Sequence, residues 1–147
     1  MQLGMIGLGR MGAHMAQRLT RAGHDVVGFD PLEDARKRAS DAGVRTADQL
    51  SGVLSAPGAP RAIWMMVPAG APVDETIAAL EPYLAAGDTL IDGGNSNYRD
   101  TQRRAKALAQ KRIQYVDAGT SGGIWGLTEG YSIMVGGDAA AVARLRP

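Results

Sequence analysis

Apolar positions fall in short runs, and the stretches between them carry an apolar stripe on an otherwise polar surface. Residues 2–6 form the first run. After a cluster of glycines, Met11, Met15 and Leu19 recur every four residues with Ala13 and Ala16 beside them, until Gly23. That spacing puts them on one side of a helix, and glycine is the usual stop. A strand-like run over 24–29 ends at Asp30, and 32–42, rich in helix formers and charge, stops at Gly43. The next strand is expected over 62–67, after the breaker-rich segment 55–60. A helix over 72–84 follows, with Ile77, Leu80 and Leu84 on one face. Strand 89–91, helix 98–110 and strand 113–116 continue the alternation. Beyond them lie a glycine-rich loop over 121–130, a strand over 132–135 and a helix starting over 138–145.

Strand and helix alternate almost throughout, which requires parallel strands joined by helical crossovers. Several strands are continuously apolar, as a sheet covered on both faces demands. The expected fold class is α/β: a Rossmann-type, doubly wound, mainly parallel sheet with helices on both faces. One domain spans 1–147, since this length suits a single core. Open sheets of this kind bind ligands beyond the carboxyl ends of their strands. The glycine-bearing segments 7–12, 93–94 and 119–123 each follow an expected strand, so they should line one edge together.

Composition narrows the partners. Sixteen basic and fifteen acidic residues are scattered rather than blocked, with no basic stripe, so no nucleic-acid partner is expected. Cysteine is absent, which removes disulfides and thiolate metal sites. His14 and His24 show no ligand spacing and read as surface or satisfied histidines, so no metal is expected. No apolar stretch approaches the roughly 20 residues of a membrane span, and the start of the chain lacks a signal-peptide pattern. A cytoplasmic protein without a membrane partner is expected. Twenty glycines against a single Phe are the compositional oddity.

Gly7-Leu8-Gly9-Arg10-Met11-Gly12 is G-x-G-x-x-G between a strand and an amphipathic helix. In that context Gly7 permits the tight turn, Gly9 lets the backbone approach a pyrophosphate, and Gly12 lets helix and strand pack closely. The helix N-terminus faces the anion. A plain strand–turn–helix is the competing reading. Asp30 lies 18 residues past Gly12, close to the roughly 20 expected for the acid that binds the adenosine ribose. Its charge would repel the extra phosphate of NADP, although Arg36 and Lys37 could fold back, so NAD is favoured. Asp30 could also be a helix N-cap. Asp92-Gly-Gly-Asn-Ser96 places the Asn95 amide near the expected nicotinamide. Asp117-Ala-Gly-Thr-Ser-Gly-Gly123 exposes the Ser121 hydroxyl and several N–H groups, which suit an oxyanion or a polyol. Taken singly, either could be a bland glycine turn. Trp64, Met65 and Met66 read as buried strand; nothing selects a role for Trp125.

These segments, with Ile133-Met-Val-Gly-Gly137, resemble the 6-phosphogluconate dehydrogenase family, in particular its shorter bacterial branch, in order and spacing over nearly the whole chain. The resemblance implies oxidative decarboxylation of a phosphorylated sugar acid, 6-phosphogluconate, to ribulose 5-phosphate. It implies that Gly7, Leu8, Gly9, Arg10, Met11 and Gly12 surround the pyrophosphate and that Asp30 takes the ribose. Val67, Pro68 and Ala69 then pass beside the cofactor, Asn95 touches nicotinamide and substrate, and Ser121, Gly122 and Gly123 form a substrate loop. Where longer animal-type enzymes carry Asn-Arg-Thr, this chain has Asp30-Pro31-Leu32, which again favours NAD over NADP. Those enzymes also carry acidic residues where this chain has Ile124 and Trp125.

The resemblance further implies a lysine general base and a glutamate acid from an all-helical second domain that also makes the whole protein an oligomer. The lysines here, Lys37, Lys106 and Lys111, fall in expected surface helices. No catalytic residue is therefore expected within the chain, and that second domain is expected beyond Pro147. The chain alone is expected to bind dinucleotide weakly and turn over nothing. One alternative is a 3-hydroxyisobutyrate or tartronate semialdehyde type of 3-hydroxyacid dehydrogenase, which typically has Ser-Thr in place of Gly94-Asn95. Another, of a different class, is a non-catalytic dinucleotide-binding module.

Overall fold

The computed structural model describes residues 1–55 and 60–146. The middle of the breaker-rich segment, 56–59, and Pro147 lie outside the described residues. Strands β1 (Gln2–Ile6), β2 (Asp25–Phe29), β3 (Arg45–Thr46), β4 (Ala62–Met65), β5 (Thr89–Asp92), β6 (Gln114–Ser121) and β7 (Ser132–Gly136) form one sheet. Their order is β3-β2-β1-β4-β5-β6-β7. All neighbours pair parallel except β6 and β7, which are antiparallel. Helices α1 (Arg10–Arg21), α2 (Glu33–Asp41), α3 (Ala71–Leu80), α4 (Tyr98–Ala109), α5 (Gly126–Glu129) and α6 (Ala139–Arg144) complete the fold.

Alternate strand residues feed two cores, because successive side chains point to opposite faces of a sheet. Leu3 and Met5 of β1, Ile91 of β5 and Val116 of β6 pack with Met15 and Ala16 of α1, Ala35 and Ala39 of α2, and Ala141 of α6. Ile6, Ile63, Met65, Leu90 and Tyr115 pack on the other face with Val73, Ile77 and Leu80 of α3 and Leu108 of α4. The sheet is therefore covered on both sides, as its apolar strands required.

The structure departs from the sequence expectations in four places. The strand expected to stop at Val116 runs on to Ser121, because β7 returns antiparallel and supplies ladder partners from Asp117↔Gly136 to Ser121↔Ser132. The helix expected to reach Leu84 ends at Leu80 and passes into a tight 3₁₀ turn over Glu81–Tyr83. Pro82 has no N–H to continue the α-helical ladder. The glycine-rich loop over 121–130 contains a 3₁₀ turn and α5. The two-residue β3 and the 3₁₀ turn Leu50–Leu54 carry no periodicity and were not expected.

Candidate functional site

Parallel strands bring the ends of β1, β2, β4 and β5 to one edge, and the turn from β1 into α1 lies at its centre. Gly7 has φ +88°, and a Cβ there would run into the Met66 carbonyl. A Cβ on Gly12 would overlap the Gly7 carbonyl oxygen. Both glycines are thus required by the protein itself. Gly9 differs: its φ is −61°, open to any residue, and a Cβ there meets nothing within 4 Å. It caps α1, where no side chain bonds the end and the first turn holds no acid. The space over Gly9 is a cradle that a side chain would fill, at a helix end that favours an anion.

Leu8 points inward and is 2% exposed, and a Cβ on Gly28 would press on it at 2.9 Å. Its N–H donates to Asp30 Oδ2 at 2.8 Å, so Leu8 fixes the turn through Asp30. Asp30, 8% exposed, also accepts the Leu32 N–H on Oδ1 at 2.9 Å. It is not a helix N-cap, since Leu32 holds that position for α2. Each carboxylate oxygen keeps a second lone pair, which suits a ribose hydroxyl. Arg36 does fold back, with Nη1 donating to the carbonyls of Asp30 at 2.8 Å and Pro31 at 3.3 Å.

A cleft of about 600 Å³ opens at this edge, lined by Gly7, Gly9, Asp30, Val67 and Pro68 of the expected residues. Sequence reading missed its apolar wall, which includes Leu50, Pro72 and Ala79. Arg10 instead faces a groove between α1 and α2 that also meets Arg38 and His14. Met11 packs against the core, Gly12 is buried, and Ala69 is exposed next to Pro68. Trp64 and Met66 are only partly buried; Met65 is buried completely, as expected.

Further along the edge, Asn95 adopts φ 55°, a left-handed backbone. Its Oδ1 accepts the Thr120 N–H at 2.9 Å while Nδ2 donates to the Thr120 carbonyl at 3.3 Å. The amide therefore clips the loop after β5 to β6, and brings Asn95 beside Ser121 and the glycines that follow. Ser121 is exposed at the end of β6. A Cβ on Gly122, at φ 143°, would come 2.8 Å from the Tyr131 ring, whereas Gly123 faces open space. Trp125 is 68% exposed.

Sequence reading also missed a buried polar cluster beneath these loops. Asp92 Oδ2 accepts the hydroxyls of Tyr115 and Ser96, both at 2.7 Å, and its Oδ1 accepts the Gly94 N–H at 3.0 Å. Arg104, 3% exposed, lies alongside and grips Asp74 with Nε and Nη2, both at 2.9 Å. The Arg104 bond holds Asp74 down to about 2. Burial, then the bond to Asp92, pushes the Tyr115 hydroxyl well up, so it stays a neutral donor. Burial and then repulsion from Asp92 raise Asp117. The available signal was periodicity: Arg104 shares the face of α4 with Leu108, four residues on.

Lys37 pairs with Asp41, Lys111 with Glu81, and Lys106 is exposed on α4; none lines the cleft. Among the described residues, no three His, Asp or Glu are grouped to hold a metal ion, and no helix is long and apolar enough to cross a membrane.

Residues 2–147 match the family described as the NAD binding domain of 6-phosphogluconate dehydrogenase. The NAD(+)-dependent, decarboxylating 6-phosphogluconate dehydrogenase of Haloferax volcanii is 46% identical over 147 residues, which cover 100% of this chain and 48% of that protein. The chain thus spans about half the length of that relative. Among solved structures, the Plasmodium falciparum 6-phosphogluconate dehydrogenase, studied in its apo form, with NADP+ and with 6-phosphogluconate, is similar with a TM-score of 0.87 and 30% identity. That match covers 97% of this chain and 32% of the other. A Mycobacterium tuberculosis 3-hydroxyisobutyrate dehydrogenase is similar with a TM-score of 0.89 and 28% identity, covering 99% of this chain and 49% of the other.

Proposed function

Because the chain belongs to the family of NAD-binding domains of 6-phosphogluconate dehydrogenase, we propose that its cleft holds a nicotinamide dinucleotide, NAD in preference to NADP. We further propose that it serves as the cofactor half of an enzyme that oxidatively decarboxylates 6-phosphogluconate. The observation that carries the first part is Gly9, the one glycine of the turn whose missing side chain serves nothing inside the protein. The open space above it lies at the uncapped start of α1 and beside Asp30.

The chain's own residues divide the work. The start of α1 favours the pyrophosphate through its N–H groups and dipole. Asp30 holds the turn in shape and offers its remaining lone pairs to the adenosine ribose. The same carboxylate, with Glu33 and Asp34 in the first turn of α2, opposes a further phosphate on that ribose. The apolar wall formed by Leu50, Pro72 and Ala79 suits the adenine face. Bound there, the dinucleotide would supply the hydride acceptor. Asn95 and Ser121 lie at the substrate side, while the lysine base and glutamate acid would come from elsewhere in the whole protein. That protein would be an oligomer in the cytoplasm.

A 3-hydroxyacid dehydrogenase is the second reading, favoured by the similarity to the 3-hydroxyisobutyrate enzyme. Against it stands Asn95, whose amide uses both its ends on Thr120. A Ser-Thr pair in place of Gly94-Asn95 has no such two-ended group. Calorimetric titration with NAD and NADP tests the cofactor reading. NAD should bind more tightly, and tighter binding of NADP would reverse the assignment.

A further inference from the structure

Arg104 makes five hydrogen bonds, as many as its fork has N–H groups. Nε and Nη2 hold the two oxygens of Asp74 at 2.9 Å each, and Nη2 also reaches the Gly70 carbonyl at 3.0 Å. Nη1 reaches Ser96 Oγ at 3.2 Å and Asp92 Oδ2 at 3.4 Å. These partners brace two different loops. Gly70 ends the loop that begins after β4, and Asp74 stands in the first turn of α3 that follows it. Asp92 ends β5 and Ser96 lies in the loop between β5 and α4, on either side of Gly94 and Asn95.

The two loops meet directly, since a Cβ on Gly94 would lie 2.7 Å from the Val67 carbonyl and 3.5 Å from the Ala69 nitrogen. Gly70 adopts φ 91° at no steric cost, but Asn95 at φ 55° is left-handed with a Cβ, a conformation held only where its surroundings impose it. The Asn95 amide is held by Thr120, and Arg104 ties the residues on either side of the Gly94-Asn95 pair from below, through Asp92 and Ser96. Arg104 does not line the open cleft itself.

Resting on the dinucleotide reading above, the geometry assigns Arg104 as a positioning residue for the nicotinamide end of the cofactor. It sets the Val67–Gly70 segment against the Gly94–Ser96 segment, and the ring would lie beside their junction. The adenosine ribose and pyrophosphate depend instead on Asp30, Gly9 and the start of α1, with none of which Arg104 forms a hydrogen bond.

Comparing NAD with ADP-ribose, which lacks only the nicotinamide ring, tests this in calorimetric titrations of the protein and its Arg104→Lys variant. Lysine keeps the charge but cannot span both loops with a planar fork. The expected result is a loss of NAD affinity of about tenfold, with ADP-ribose affinity changed by less than about twofold. Ser96→Ala, which removes one partner and no charge, should shift the same ratio by a smaller factor and remains informative if Arg104→Lys does not fold. Equal weakening of both ligands, as a general loosening of the fold would give, overturns the assignment. So does an unchanged NAD affinity in the folded variants. If the unaltered protein binds neither ligand, the dinucleotide reading fails and takes this assignment with it.

Discussion

At the residue scale, three glycines of one motif carry three different constraints, and substitution separates them. Gly12→Ala forces a Cβ onto the Gly7 carbonyl, and overpacking of this kind costs about 1–3 kcal/mol. Gly9→Ser should do the reverse. Its backbone, φ −61° and ψ 179°, is the extended conformation of an N-cap, and the helix now has no side-chain cap. The variant should melt no lower than the parent and yet bind NAD at least about tenfold more weakly, since a side chain would then occupy the pyrophosphate's approach. Undiminished NAD binding by Gly9→Ser would remove the observation on which the cofactor reading stands. Asp30→Ala mixes the two effects. It strands the Leu8 and Leu32 N–H groups, at a cost of about 2 kcal/mol, so the apo protein should lose stability in denaturant titration as well as affinity. The alternative idea that Asp30 caps a helix fails here too, because its oxygens hold the turns on either side of it.

At the scale of elements, the informative contact is between α3 and α4, where Asp74 meets Arg104 and Arg103. Asp74 titrates at about 2 in the folded protein against 3.8 ordinarily, chiefly through the Arg104 bond. A depressed carboxylate stabilises the fold above its unfolded pKa and loses that contribution as the proton arrives. The gap in melting temperature between the protein and Asp74→Asn should therefore be open at neutral pH and close as pH falls from about 4 towards 2. A gap that persists at pH 2 would mean the ion pair contributes little. These elements also show what the sequence could tell. The β1–turn–α1 unit and Asp30 were legible because period, glycine spacing and a strand-end acid are local signals. Arg104, Asp74 and Tyr115 were not, because α4 is crowded with charge, and although spacing from Leu108 puts Arg104 on the inward face, only the packed helices show what it meets there. Likewise β6 looked short: Asp117-Ala-Gly-Thr-Ser121 has little strand character of its own, and it is a strand only because β7 returns beside it.

Over the whole molecule, the sheet sorts chemistry to one edge and stability to the other. At the amino end of β5, Asp88, fully buried, is held by Arg61 and by the N–H groups of Arg61 and Ala85. Burial works to raise its pKa, but these bonds outweigh it and keep the carboxylate ionised. The opposite edge leaves open what a dinucleotide would use. Ligand binding to the folded state alone should then stabilise everything built on the sheet. NAD at about 100 times its dissociation constant should raise the unfolding free energy by about 2.7 kcal/mol, and Gly9→Ser at the same NAD concentration should lose about half of that gain or more. Chemistry asks for more than the edge provides. Removing a proton from a sugar hydroxyl needs a base within hydrogen-bond reach of it, and Lys37, Lys106 and Lys111 all lie away from the cleft. The 147-residue chain mixed with NAD and 6-phosphogluconate should therefore produce no NADH, even while calorimetry detects NAD binding. Sustained NADH formation would place the base among these 147 residues and undo the division of labour between cofactor binding here and acid–base chemistry elsewhere.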